Sequence, residues 1–145
     1  MAMVRGVVVI DRGWNRMRQR VEALDGHGVD TGLYDGRSAE IGYYNEFGPD
    51  RIPSRPFMRR SIDVRRNEVR AEMVRTAQAV AFGGTSPATA LGDLGQWMED
   101  RIKDIIDRSP TWAVPNAPLT VALKGFDHPL IETGEMQDSV EHRIF

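Results

Sequence analysis

The most constraining stretch of this 145-residue chain runs from Ser86 to Pro110, where an apolar stripe lies between a helix start signal and a stop. Leu91, Leu94, Met98, Ile102 and Ile105 recur at three, four, four and three residues, a spacing that places them on one face of an α-helix. Ser86 can cap the first turn, Pro87 is pre-shaped for the first helical position, and Ser109-Pro110 ends the run. Glu99, Asp100, Asp104 and Asp107, interleaved with Arg101, Lys103 and Arg108, read as the solvated, ion-paired outer face and not as an acid/base pair. A helix with one apolar face needs something to pack on.

A second stripe lies just upstream. Ile62, Val69, Met73, Ala77 and Val80 argue a helix closed by Gly83-Gly84, and the short linker to Ser86 folds it back antiparallel to the first. Their ten or so apolar side chains, at ~1.5–3 kcal/mol each on full burial, would supply much of the folding drive. A chain of this length holds one core, so residues 1–145 read as one domain. The expected fold is α+β: a small, mainly antiparallel sheet (about 4–10, 29–35 and 139–145) against two long antiparallel helices (about 57–82 and 87–108).

Shorter elements complete the chain. Trp14, Met17, Val21 and Leu24 suggest a helix capped by Asp11 and closed near Gly26. Asp35-Gly36 reads as a turn; in Ser38–Phe47, Ile41, Tyr43, Asn45 and Phe47 fit period two and Ile41, Tyr44 and Phe47 a helix, and Ser38 as cap with Gly48 as terminator favours the helix. The segment from about 109 to 133 holds Pro110, Pro115, Pro118 and Pro129 and only one short helical turn, Leu119 to Lys124; it reads as an extended arm. Thr133 can cap a turn through Asp138.

Composition removes several classes of function. No apolar run approaches the roughly 20 residues that cross a bilayer, and the start MAMVRGVVVID lacks a leader cleavage site, so neither membrane nor secretory targeting is expected. Absence of cysteine excludes disulfides and thiolate metal sites and fits a reducing compartment. His27, His128 and His142 have no metal-ligand spacing, Gly83-Gly84 is not followed by the Lys-Ser/Thr of a phosphate loop, and no GxSxG elbow occurs. No catalytic residue, metal or cofactor is expected.

What stands out instead is the crossing Tyr43 to Asp63, YYNEFGPDRIPSRPFMRRSID. Pro49, Pro53 and Pro56 bias Gly48, Ile52 and Arg55 toward extended geometry, with Phe47, Ile52 and Phe57 as apolar anchors. Arg51 to Arg75 holds eight arginines against three acids, a local excess of five positive charges in a chain of net charge −2. Arg59, Arg66 and Arg70 can share a helix face. Three uses stay open: a solvated face, pairing with carboxylates of an identical neighbour, or a DNA-facing surface.

Two stretches carry a resemblance. YNEFGPDRIPSRPFMRRSID is similar to the pattern NEFG…IPxRPFhRxxhD (h apolar), and PNAPLTVALKGFDHPLIETGEMQDSVEHRI to PNxxxTxxxKG…PLIxTGxhxxSIxxxV, of the tail-completion, or neck and virion-morphogenesis, proteins of tailed double-stranded DNA bacteriophages. The likeness spans about residues 29 to 145; Ser54 replaces a frequent alanine, Glu132 a common aspartate, and the first strand and helix carry no motif.

The resemblance implies a non-enzymatic minor tail subunit that forms a homo-oligomeric ring, hexameric in the virion, at the head-proximal end of the tail. Its partners would be head-connector and tail-tube or tail-terminator proteins, with genomic DNA in the lumen and assembly in the host cytoplasm. Asn45, Glu46, Phe47, Gly48, Ile52, Pro53, Arg55, Pro56, Phe57 and Met58 occupy the first motif; Pro129, Leu130, Ile131, Thr133, Gly134 and Ser139 the second. Phe57 and Leu130 read as core anchors. Ile52, Pro53, Arg55, Pro56 and Phe57 are expected to lie beside Pro129, Leu130, Thr133 and Gly134 on one edge, forming the ring or connector interface. The alternative is a DNA-binding module using Arg59, Arg66 and Arg70.

Overall fold

The computed structural model describes residues 10–145, so the strand expected at about 4–10 lies outside the described residues. Helix α1 spans Trp14–Glu22; Gly13 occupies the cap position, and Asp11 Oδ1 accepts from Gly13 N at 2.9 Å just ahead of it. Strand β1 spans Val29–Leu33 and pairs antiparallel with β2, Val140–Ile144, in the register Val29 to Ile144 through Leu33 to Val140. Among the described residues the fold is α+β, mostly helical, with this two-stranded sheet.

Helix α2 covers Gly36–Phe47. Its cap is Asp35, whose side chain accepts from Ser38 N at 2.9 Å, so Asp35-Gly36 opens the helix instead of turning before it. Gly48, at φ +58°, closes it as expected.

The helix expected over 57–82 is two helices, α3 at Phe57–Asp63 and α4 at Arg66–Ala81. Neither glycine nor proline marks the break. Arg65 N bonds Ile62 O at 3.1 Å, one residue short of the α-helical partner, while the Arg65 guanidinium is held by Asp104 of the next long helix. That helix, α5, spans Pro87–Asp107 with Ser86 as its cap.

Among these helices it is α5 that lies against both strands; α3 and α4 pack on α5. The picture of two long helices covering the sheet is corrected accordingly. Gly92 and Gly95 make one side of α5 smooth enough for β2: a Cβ on Gly95 would collide with the His142 ring.

The core gathers around α5. Phe57, Ile102, Ile105, Ile106, Leu130, Met136 and Val140 form one buried cluster, and Leu33, Met58, Met98, Trp112 and Ile131 pack against it. The α4 stripe does not join it. Only Val80 of α4 is buried, while Ile62 and Met73 are 46% and 56% exposed, so the described residues leave much of the expected stripe uncovered.

The proline-rich segment is folded back on the body and is not an extended arm. It holds α6 at Ser109–Trp112 and α7 at Pro118–Lys124, followed by α8 at Glu135–Asp138. Trp112 Nε1 donates to Ile105 O at 2.9 Å, tying α6 to the end of α5. Among the described residues no helix is long and apolar enough to cross a membrane.

Candidate functional site

Within the first motif segment, α2 and α3 are joined by a clamp built on Glu46. Its side chain leaves the last turn of α2, is buried, and receives Met58 N on Oε2 at 2.9 Å and Arg59 N on Oε1 at 3.1 Å. These are free amides of the first turn of α3, so α2 supplies the cap that Pro56 cannot. Arg59 closes the arrangement: its Nε donates to Glu46 Oε1 at 2.8 Å and its Nη2 to Glu46 O at 2.9 Å, with the guanidinium over Phe47.

The crossing between them is a tight turn followed by a short extended run. Gly48 and Asp50 both have φ +58°, and Ile52 N returns to Pro49 O at 3.2 Å. Pro49 was expected to hold Gly48 extended, but glycine pays no Cβ penalty in the left-handed region. Ser54 packs on it so closely that a Cβ at Gly48 would stand 2.5 Å from Ser54 N. Ser54 Oγ donates to Glu46 O at 2.9 Å, and Arg55 N to Asn45 O at 2.6 Å. At Pro56, φ −75° and ψ +72° form an inverse γ-turn that brings Phe57 N to Arg55 O at 2.8 Å. Phe57 then enters the core fully buried, whereas Phe47 and Ile52, also expected as anchors, are 57% and 40% exposed.

Arg55 is the second arm of the clamp. It was expected to shape the surface, yet it is buried, and its guanidinium is committed to Val114 O at 2.7 Å, Pro115 O at 3.2 Å and Asn116 Oδ1 at 3.3 Å. Burial lowers its pKa, with Asp127 opposing. Asn116 in turn donates from N and Nδ2 to Asp127 Oδ1 at 3.2 and 3.0 Å. Lys124 Nζ reaches His128 O at 2.9 Å and Ile131 O at 2.6 Å, closing the loop that carries α7. Pro129 and Leu130 are thereby buried, and Leu130 lies in the same core cluster as Phe57. The two segments thus share the core through Phe57 and Leu130. On the surface are Pro53, the exposed part of Ile52, and Thr133 beside the half-buried Gly134.

The arginines expected to face DNA are mostly engaged. Arg59 holds Glu46, and Arg66 Nη2 holds Asp63 Oδ1 at 2.8 Å. Arg65 pairs with Asp104 and Arg75 with Glu72. Arg70 is exposed, with no ion pair among the described residues.

Groups with catalytic chemistry are placed structurally. His128 donates from Nε2 to Asp107 O at 3.0 Å, which leaves Nδ1 to accept from Ser109 Oγ at 3.2 Å; Ser109 is fully buried, out of reach of any carbonyl substrate. Glu99, expected on the outer face of α5, is buried instead. Its Oε1 accepts His142 N at 2.9 Å and lies 2.5 Å from His142 Nδ1, capping an edge amide of β2. Burial raises the Glu99 pKa, but the His142 hydrogen bond and Lys103 outweigh it and leave it lowered. No group of three metal-ligating side chains occurs among the described residues.

A groove of about 390 Å³ lies elsewhere among the described residues, between β1, α3, α4 and α5. Its walls are apolar and rich in methionine, with Met58, Met73 and Met98 among them. Sequence reasoning took the α4 residues here for core. The signal that could have separated them is α4 itself, whose apolar positions are sparse and flanked by arginines. No family model, curated protein or solved structure matches the chain.

Proposed function

We propose that this chain is a structural, non-enzymatic virion subunit that assembles as a ring, hexameric in the particle, at the head-proximal end of a phage tail. It completes the tail or joins it to the head connector, contacts connector and tail-tube or tail-terminator proteins, and is assembled in the host cytoplasm. The observation that carries this reading is the clamp. The two stretches that bear the resemblance are far apart in sequence: Glu46 and Gly48 brace the first internally, while Arg55, Phe57 and Leu130 tie it to the second. A subunit that keeps a rigid frame and leaves apolar surface uncovered is suited to assembly.

The test is electron microscopy of the purified protein and of virions, with antibody labelling. Rings, or label at the neck, are expected; absence of the protein from assembled particles overturns the proposal. The DNA-binding alternative has less charge to work with, since Arg59 and Arg66 already face carboxylates. Duplex binding that falls steeply with salt and vanishes on reversing Arg59, Arg66 and Arg70 would favour it.

A further inference from the structure

Arg60 is a cation without a counter-ion among the described residues. Its guanidinium lies 4.8 Å from the centre of the Trp112 ring, and its Nε is shut from water with no hydrogen-bond partner. Trp112 is pinned in turn by Nε1 donating to Ile105 O, so the stack has a fixed place. Arg60 and Trp112 wall a cleft of about 310 Å³ together with Val64, Arg65, Ile105 and Arg108. Arg60 and Val64 face it from the side of α3 opposite to Met58 and Ile62, which line the groove beside β1. Three arginines meet two acids here: Arg65 takes Glu68 and Asp104, and Arg108 Nε shares Asp104 at 2.9 Å. Nothing further along the chain supplies the missing charge, because residues 1–9, MAMVRGVVV, contain neither aspartate nor glutamate. A partly desolvated guanidinium compensated by stacking alone is costly.

Resting on the ring reading above, we propose that this cleft receives one carboxylate from a second copy of this chain, and that the donor is the acidic patch of Glu132, Glu135 and Asp138. An excess of one positive charge matches a single carboxylate, whereas a DNA backbone would also set its phosphates against Glu68 and Asp104. A guanidinium held flat on an aromatic ring keeps its fork edge for a carboxylate. On the donor side, all three acids are exposed and in no ion pair among the described residues, and no lysine or arginine occurs from 125 to 142. Arg37 lies beside Glu132 and Glu135, and three acids against that one arginine leave the patch two charges negative. The patch is turned away from its own cleft. Gln137 of α8 holds the Asp107 side chain, whereas the cleft uses Ile105 and Arg108, and at about 3.6 residues per turn these positions lie on different sides of α5. Donor and acceptor are separate surfaces, so the contact runs head to tail and propagates until the rotation closes a ring.

The chain has only two lysines, Lys103 and Lys124, which makes carbodiimide coupling of an amine to a carboxylate nearly site-specific. Arg60→Lys is made as a full chain, and so is Thr111→Lys, at the exposed rim of the cleft, which leaves Arg60 in place. Each is checked for an unchanged melting curve, mixed with isotope-labelled wild-type chain, coupled, and digested for mass spectrometry. Isotope-mixed peptides joining position 60 or 111 to residues 132–138 are expected at least about 10-fold above an Arg70→Lys control, because docking raises the local concentration of the carboxylates. Adding Arg60→Glu to the Thr111→Lys chain is expected to return the yield to the control level. Coupling within single chains only, or at the control level in both variants, overturns the inference. Duplex DNA binding that Arg60→Glu abolishes, with coupling at the control level, assigns the cleft to phosphate and overturns it as well. Wild-type rings without this coupling leave the ring reading standing and remove this contact, and the coupling in a protein absent from virions does the reverse.

Discussion

Glu46 and Arg59 lie on different helices, and the 2.8 Å contact between the Glu46 carboxylate and Arg59 Nε is part of a helix cap. The same carboxylate takes the amides of Met58 and Arg59, so the first turn of α3 is completed by the last turn of α2 across a nine-residue crossing, Gly48 to Pro56. A proline-rich entry leaves α3 without a side-chain cap of its own, and Glu46 fills that role from outside. The two helices consequently hold each other's orientation, and Phe57 enters the core at a fixed angle.

Replacing Glu46 by alanine removes the cap and the ion pair to the exposed Arg59. The expected loss is about 2–4 kcal/mol of unfolding free energy, read by urea denaturation. Glu46→Gln, which keeps one acceptor oxygen, is expected to lose less. A loss below about 0.5 kcal/mol for the alanine variant, the range of an ordinary surface change, would mean that water replaces the cap.

Gly48→Ala tests the turn. At φ +58° the new methyl would sit 2.5 Å from Ser54 N and 2.7 Å from Ile52 O, both main-chain atoms that cannot swing aside. Strain and collision together are expected to cost about 2 kcal/mol or more and to lower the melting temperature by roughly 4–8 °C. A melting temperature equal to the wild type would refute the tight packing of Ser54 on Gly48.

For Arg55, the expected effect is local. Arg55→Lys cannot span Val114 O, Pro115 O and Asn116 Oδ1 together, because an ammonium on a flexible stem lacks the guanidinium fork. The segment carrying α7 should loosen at a cost of about 1–3 kcal/mol. Limited trypsin digestion is expected to cut after Lys124 faster than in the wild type, while the region around α5 stays protected. Unchanged cleavage at Lys124 would show that the segment is held without Arg55.

Glu99 sets a pH dependence. Its folded-state pKa is lowered, so the stability it contributes is complete above the unfolded glutamate value, about 4.3, and is lost as pH falls through the lower folded value. Melting curves from pH 7 down to 3 should show a steeper acid decline for the wild type than for Glu99→Gln. Parallel curves would mean that the bond to β2 does not depend on the charge.

Some of the frame was legible in the residues, and the reasons are local. The α5 stripe, its Ser86-Pro87 start, the closing Gly48 and the alternation of β2 each depend on neighbours a few positions away. Arg65 shows where this stops: the break between α3 and α4 comes with a side chain drawn to Asp104, and no local signal announces it. Arg55 misled for a related reason. A charged residue between prolines reads as surface, yet the carbonyls of a segment some sixty positions onward bury it. Glu99 follows the same logic, since charged neighbours place it on the outer face until β2 arrives with an unpaired amide.

By itself, then, the sequence determined where the α5 and α2 helices form, that β1 and β2 are strands, and that Phe57 and Leu130 are core, because periodicity, caps and side-chain transfer energies act within a few residues. Only the tertiary structure decided that α5 alone of the long helices covers the sheet, that Arg55 and Glu46 are internal fasteners, and that the described residues leave the apolar face of α4 open. Those outcomes depend on which distant groups meet, and a buried charge or an uncovered stripe is defined by its partners, not by its own residue type.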